Sequence, residues 1–146
     1  NCYPDFWKWS HDTVATAILL REMQTVMGWK MKVPPRINAQ EGPNMRSLAN
    51  FPMQANGSEM LRVAVIKAHQ LDVEICATVH DALLIQAPLD LIDKAALDTQ
   101  QAMKEASESI LKGFSLKTDT EFVRWPDSFC DERGAGMWRK IMKLLP

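Results

Sequence analysis

The stretch that most restricts the fold is Val73 to Pro88, VEICATVHDALLIQAP, in which two apolar runs flank the dipeptide His80-Asp81. If both runs are strands, the dipeptide is the tip of a hairpin, where a sheet ends and two polar side chains meet solvent or a substrate. Val73, Ile75, Ala77 and Val79 share one parity with Leu83, Ile85 and Ala87, which predicts a sheet covered on at least one side. Leu84 adds apolar character to the second face. By itself, His-Asp between two strands reads as a polar turn. An aspartate at such a tip can also bind Mg²⁺, which takes hard oxygen ligands and needs only one or two carboxylates beside substrate phosphates. Two-metal phosphoryl transfer requires a second carboxylate from another strand.

The elements around this hairpin follow from their periods. Phe6, Trp9, Val14, Ala17, Ile18 and Leu19 have helical spacing over Tyr3 to Arg21, and Pro4 stands in the first turn, where proline is tolerated. Met23 to Val33 alternates, with Thr25, Met27, Trp29, Met31 and Val33 on one side, so a second hairpin is expected with Met27-Gly28 as its turn. Pro34 to Asn44 is rich in turn residues and reads as an exposed loop. Met45 to Leu71 is the longest helical candidate: Met60, Leu61, Ala64, Val65, Ala68 and Leu71 form an apolar stripe. Arg46, Asn50 and Gln54 recur every four residues on one face of its first half. Pro52 interrupts the hydrogen-bond ladder there, so a kink or two abutting helices is expected, with Asn56-Gly57-Ser58 loosening the second.

Beyond the central hairpin, Leu91, Ile92, Ala95, Leu97, Ala102, Met103, Ala106 and Ile110 predict an amphipathic helix over Leu89 to Leu111, closed by Gly113. Phe114 to Arg124 alternates and predicts another strand. Asp131 to Gly136 reads as a connection, and Met137 to Leu145 as a short helix with Arg139, Lys140 and Lys143 toward its end.

Composition limits the partners. At 146 residues the chain suits one domain, burying roughly two thirds of its unfolded surface. No apolar run approaches the roughly 20 residues that span a bilayer, so no membrane association is expected. Cys2, Cys76 and Cys130 are an odd number without CxxC spacing, which predicts neither a disulfide framework nor a structural zinc site and suggests a reducing, cytoplasmic location. A net charge of -1 means that any nucleic acid must be held by a local basic face. The chain opens at Asn1 without an initiator Met, so it is expected to be a piece of something longer.

Taken together, RSLANFPMQ with Arg46, Asn50 and Gln54, the helix after it and then VHD in a hairpin resemble the carboxy-terminal palm region of family A DNA polymerases, the DNA polymerase I type. Tyr3-Pro4 opening a helix, the Thr25 to Lys30 hairpin with Gly28, and the helix after VHD stand in the family's order, and RWPDSFCDERGAGMW looks like the closing stretch of some bacterial and phage members. The resemblance covers nearly the whole chain. It implies an α+β fold: a partial polymerase palm, an antiparallel hairpin with packed helices, an incomplete domain spanning residues 1–146.

It also implies roles. Asp81 matches the palm carboxylate that coordinates two catalytic Mg²⁺ ions, which hold the phosphates of an incoming deoxynucleoside triphosphate and the primer 3′ hydroxyl for in-line attack. His80 matches a residue near the primer terminus. Asn50 and Gln54 match residues that reach the minor groove of nascent base pairs, where acceptors occupy similar places in every correct pair. Arg46 matches a basic residue on the template-primer. The implied function is template-directed DNA synthesis in replication or repair, in a bacterial or phage-infected cell. Two features depart from the pattern: Ala82 stands where the family has Glu, and Ala55-Asn56-Gly57-Ser58 replaces the common Gly-Thr-Ala-Ala. The family's other metal aspartate and its fingers helix have no match in these residues, so the 146 residues alone are expected to be inactive. A non-catalytic DNA-binding module derived from a palm is the alternative. A single-subunit RNA polymerase ranks below it, because that class lacks the NxPxQ form.

Overall fold

The structure, a computed structural model, describes residues 2–35, 42–129 and 132–145. In chain order these form α1 (Pro4–Leu20), β1 (Glu22–Gln24), β2 (Lys30–Lys32), α2 (Met45–Gln70), β3 (Glu74–Val79), β4 (Ala82–Gln86), α3 (Ile92–Ile110) and α4 (Glu132–Met142). The fold is mixed α+β: among the described residues, four helices and two separate two-stranded antiparallel sheets. None of the helices is long and apolar enough to cross a membrane.

Pro4 opens α1 at a position whose amide would have no helical partner anyway, and Arg21 ends it in the left-handed region at φ 62°. The chain then enters β1, and Ala17 of α1 meets Met23, Val33 and Leu48 in a first apolar core. The alternation in β1–β2 holds within the strands and fails at the turn: Met23, Thr25 and Val33 are buried and Met31 half-buried, Glu22, Gln24, Lys30 and Lys32 face outward, and Met27 and Trp29, expected on the inward side, are exposed. The turn sits one residue earlier than expected. Thr25 accepts from the Gly28 amide (3.1 Å) and donates its own amide to the Trp29 carbonyl (2.9 Å), so Val26-Met27 are the central residues. Gly28 follows at φ 90°, the left-handed slot in which a side chain would be strained.

α2 is one helix of 26 residues, continuous through Pro52 and Gly57, so the expected division into two is absent. Pro52 has no amide for the carbonyl one turn back, yet packing on both sides holds the helix: Leu48 and Ala55 are buried around it, and the Asn56 side chain donates to the Pro52 carbonyl (2.6 Å). Asn44 caps the start by accepting from the Ser47 amide (3.1 Å). Of the expected Pro34 to Asn44 loop, residues 36–41 lie outside the described residues; Pro34, Pro35 and Gly42 are exposed and non-helical.

α2 and α3 pack through small side chains. Ala68, Ala102, Ala106 and Ser107 are essentially inaccessible, which lets two backbones approach closely, and Val73, Ile75 and Ile85 close a second core against them. The predicted α3 stripe is corrected at Leu91 and Leu97, which are exposed, while Ala96, Thr99 and Ser107 are buried. α3 also begins at Ile92, three residues after its expected start, because Pro88 to Leu91 form a turn first.

Three further expectations are revised. Phe114 to Arg124 is not a strand. An extended run needs a partner edge, and this one instead lies antiparallel along α3: Leu116 donates its amide to Ser107 Oγ (3.0 Å), Thr118 accepts from the Gln100 side chain (3.1 Å), and Arg124 pairs with Asp93 (2.7 Å). The stretch read as a connection before Met137 is already helical from Glu132, although Gly134 and Gly136 each cost about 1 kcal/mol relative to Ala; Lys143 falls beyond the helix end, and Asp131 lies outside the described residues. Finally, β3 carries a bulge. Ile75 pairs with Ile85 but Ala77 pairs with Leu84, leaving Cys76 unmatched. The extra residue reverses parity, so Ala77 and Val79 join exposed Leu84 on the outer face instead of continuing the Ile75 face.

Candidate functional site

The site is built at the free end of β3–β4. Val79 pairs with Ala82, which leaves His80 and Asp81 as a two-residue turn. His80 takes φ 56°, a conformation that the favoured hairpin turns require at their first position and that β-branched residues resist. Both residues are exposed, and among the described residues neither side chain has a hydrogen-bond or ionic partner. A carboxylate placed at such a turn without a partner among the described residues is available to a cation or a donor from outside.

Asp81 opens on a cleft of about 580 Å³. The cleft is lined by the middle of α2, through Met53, Asn56, Gly57 and Met60, by the end of α3 with Leu116 to Thr118, and by Trp9 and Val26. The lining is mostly apolar, with Asp81 and Lys117 as its charged members. Arg46, Asn50 and Gln54 are exposed on α2, and none has a partner among the described residues. Each four-residue step turns about 40° around the helix axis, so the row winds past the cleft-facing side of α2 and does not line the cleft. His80 is likewise off its walls.

The residues singled out in the sequence are therefore arranged on two neighbouring features: Asp81 at the cleft mouth, and the polar row on the same helix that walls it. Asp81 fits one place in a Mg²⁺ site by its chemistry and its freedom from partners. No group of three or more His, Cys, Asp or Glu side chains that could hold a metal gathers among the described residues.

Three residues of structural weight were missed. Glu59 is buried in α2 and binds the β1–β2 turn together with Thr25 and Asn56. The signal was present in the pattern: Glu59 follows Leu48 and Ala55 on the inward face of α2, and Thr25 lies on the inward parity of its hairpin. Two polar residues in core-facing positions call for each other.

No protein-family model and no curated protein matches the chain. Among solved structures, the chain is similar to the POL domain of Pol1 from M. smegmatis, solved in complex with DNA primer-template and dNTP, with a TM-score of 0.63 and 23% identity. The superposition covers 68% of this chain and 19% of that one, so the likeness is one of fold: these residues adopt a polymerase-like arrangement that spans about a fifth of the neighbour's length.

Proposed function

We propose that these residues form the carboxy-terminal part of the palm of a family A type DNA polymerase, acting in template-directed addition of deoxynucleotides to a primer 3′ hydroxyl. The observation that carries this reading is the unpaired Asp81 carboxylate at a hairpin tip, opening on a cleft walled by the RxxxNxPxQ helix, within a polymerase-like fold.

In this reading Asp81 supplies one carboxylate to a divalent cation site completed from elsewhere. Bound Mg²⁺ would lower the pKa of the attacking hydroxyl and offset charge on the leaving pyrophosphate. The chain's own residues do the positioning. Asn50 and Gln54 present amides that can donate to minor-groove acceptors, reporting pair geometry without reading sequence. Arg46 supplies a fixed positive charge to a backbone phosphate, and His80 an imidazole within reach of phosphate or sugar near the primer end. The hairpin turn holds Asp81 at a fixed distance from α2, so chemistry and geometry checking stay in register.

The deciding experiment is Asp81→Asn in the complete polymerase that carries these residues. Metal-dependent nucleotide incorporation should fall steeply while primer-template affinity is retained; normal incorporation would end the reading. Residues 1–146 alone should not extend a primed template with Mg²⁺. A second reading, a non-catalytic DNA-binding module, is favoured by the absence, among the described residues, of any cluster of three His, Cys, Asp or Glu side chains and by Ala82. It predicts salt-dependent DNA binding that weakens on Gln54→Ala and ignores Asp81→Asn.

A further inference from the structure

The β1–β2 turn is held by an unusual set of partners, and each of its amides is accounted for. The Val26 amide donates to Asn56 Oδ1 (2.9 Å) and the Met27 amide to Glu59 Oε2 (3.3 Å). The Gly28 amide donates to the Thr25 carbonyl (3.1 Å) and the Trp29 amide to Thr25 Oγ1 (2.9 Å). The Thr25 hydroxyl in turn donates to Glu59 Oε1 (2.6 Å), so both carboxylate oxygens of Glu59 are engaged. Asn56 is fixed in one orientation, because its Nδ2 donates to the Pro52 carbonyl while its Oδ1 faces an amide. Glu59 itself is only 3% exposed, yet the two donors it accepts from are neutral.

Burying a carboxylate against neutral donors is costlier than filling the same space with hydrocarbon. What the carboxylate adds is direction: two acceptors at set angles, where an apolar contact would let the turn slide. The side chains so held project outward, with Val26 57% and Met27 61% exposed, and Val26 forms part of the cleft on which Asp81 opens.

We infer that Glu59, through Thr25 and with Asn56 beside it, is a positioning residue that locks the tip of β1–β2 onto α2 and thereby fixes Val26 in the lining of the cleft that Asp81 also lines. The inference rests on the reading of that cleft as a primer-template site, since it assigns the clamp the task of keeping the cleft at one width for a nucleic acid backbone or base pair. Glu59 touches no substrate and acts only through the turn.

The test uses residues 1–146 with Glu59→Gln, Thr25→Val and Thr25→Ser, reading amide hydrogen exchange residue by residue and affinity for a primer-template duplex by fluorescence anisotropy. Glu59→Gln keeps an acceptor for Thr25 but turns an amide toward the Met27 N–H. It should speed exchange at Met27 about tenfold beyond whatever change the loss of global stability brings to amides in the α2–α3 core, the ratio expected for one lost hydrogen bond to a charged group. Primer-template affinity should weaken about three- to tenfold in the same variant. Thr25→Val should behave alike, and Thr25→Ser, which retains the hydroxyl, should restore both readouts. Uniform acceleration of all amides would make Glu59 a stability residue only, and selective release of the turn with unchanged affinity would remove its link to the site; either overturns the inference. If the wild-type chain binds no primer-template, the polymerase reading fails on that ground, whereas the exchange pattern still decides whether the clamp exists.

Discussion

Hairpin β1–β2 is fastened at its tip, and hairpin β3–β4 at its base. In the first, Glu59 and Asn56 reach from α2 to the turn, and the strands are only three residues each. In the second, Val73, Ile75 and Ile85 sink into the α2–α3 core while the far end is exposed, with Val79 at 53% and Leu84 at 56% and His80-Asp81 without side-chain partners among the described residues. The bulge at Cys76 divides that hairpin into an anchored half and a projecting half. The difference teaches where each hairpin can host chemistry. A tip already engaged on all its amides has nothing left to offer a ligand but side-chain surface, whereas a tip held only from below can present an unpaired carboxylate in a fixed place.

The strongest way to break this contrast is Asp81→Asn in a complete polymerase carrying these residues. Because the tip has no partner among the described residues, stability should stay within the scatter of a surface change, about 0.5 kcal/mol, while nucleotide incorporation drops about a thousandfold, equivalent to about 4 kcal/mol of barrier. A large loss of stability in chemical denaturation would mean that Asp81 is a structural residue after all.

Thr25→Val probes the opposite hairpin and should give the opposite result. It removes the hydroxyl that donates to Glu59 and accepts from Trp29, leaving a buried carboxylate oxygen without its donor, so a loss of about 1–3 kcal/mol in urea unfolding is expected. A change below about 0.5 kcal/mol would show that the tip is held by apolar packing alone. His80→Gly sharpens the same contrast from the other side. His80 sits at φ 56°, where glycine is unstrained, and relief of that strain offsets the extra freedom of the unfolded chain, so stability should change by no more than about 0.5 kcal/mol. A loss above about 1 kcal/mol would reveal a partner for the imidazole.

Much of this arrangement was legible beforehand, for a physical reason. Strong local periods carried α1, α2, α3 and both hairpins, and the His80-Asp81 turn followed from two apolar runs of the right length. What local pattern could not carry was decided by tertiary partners. Pro52 fails to divide α2 because Leu48, Ala55 and the Asn56 amide hold the helix across it. Phe114 to Arg124 has a strand's alternation but meets α3 side chains in place of a strand edge. The bulge at Cys76 is a property of the pairing and not of either strand, so the parity of Ala77 and Val79 could not be read from β3 alone. At the site, the residue types of Asp81 and of the Arg46, Asn50, Gln54 row were readable; that Asp81 opens on the cleft and the row passes beside it is a matter of how α2 is rotated.

The smallest effect concerns the base that carries the projecting hairpin, where Lys67 of α2 pairs with Glu105 of α3 at 2.7 Å. The hydrogen bond from Lys67, followed by one from Gln101 and then by the Lys67 charge, holds the Glu105 carboxyl below its ordinary value of 4.5. A carboxylate whose folded-state pKa is depressed contributes stability above its unfolded-state value and loses it as pH falls through the lower, folded value. The pair is partly exposed and therefore screened, so the contribution is small and should shrink further in added salt. Lys67→Met removes the main cause while keeping the side-chain hydrocarbon against α3. The wild type should melt slightly above Lys67→Met near neutral pH, and the gap should close as the pH is lowered from about 5 toward about 3. If the gap persists unchanged through that range, the base is held by packing of the Lys67 chain and not by its charge, and both hairpins would then differ in tether but not in their response to acid.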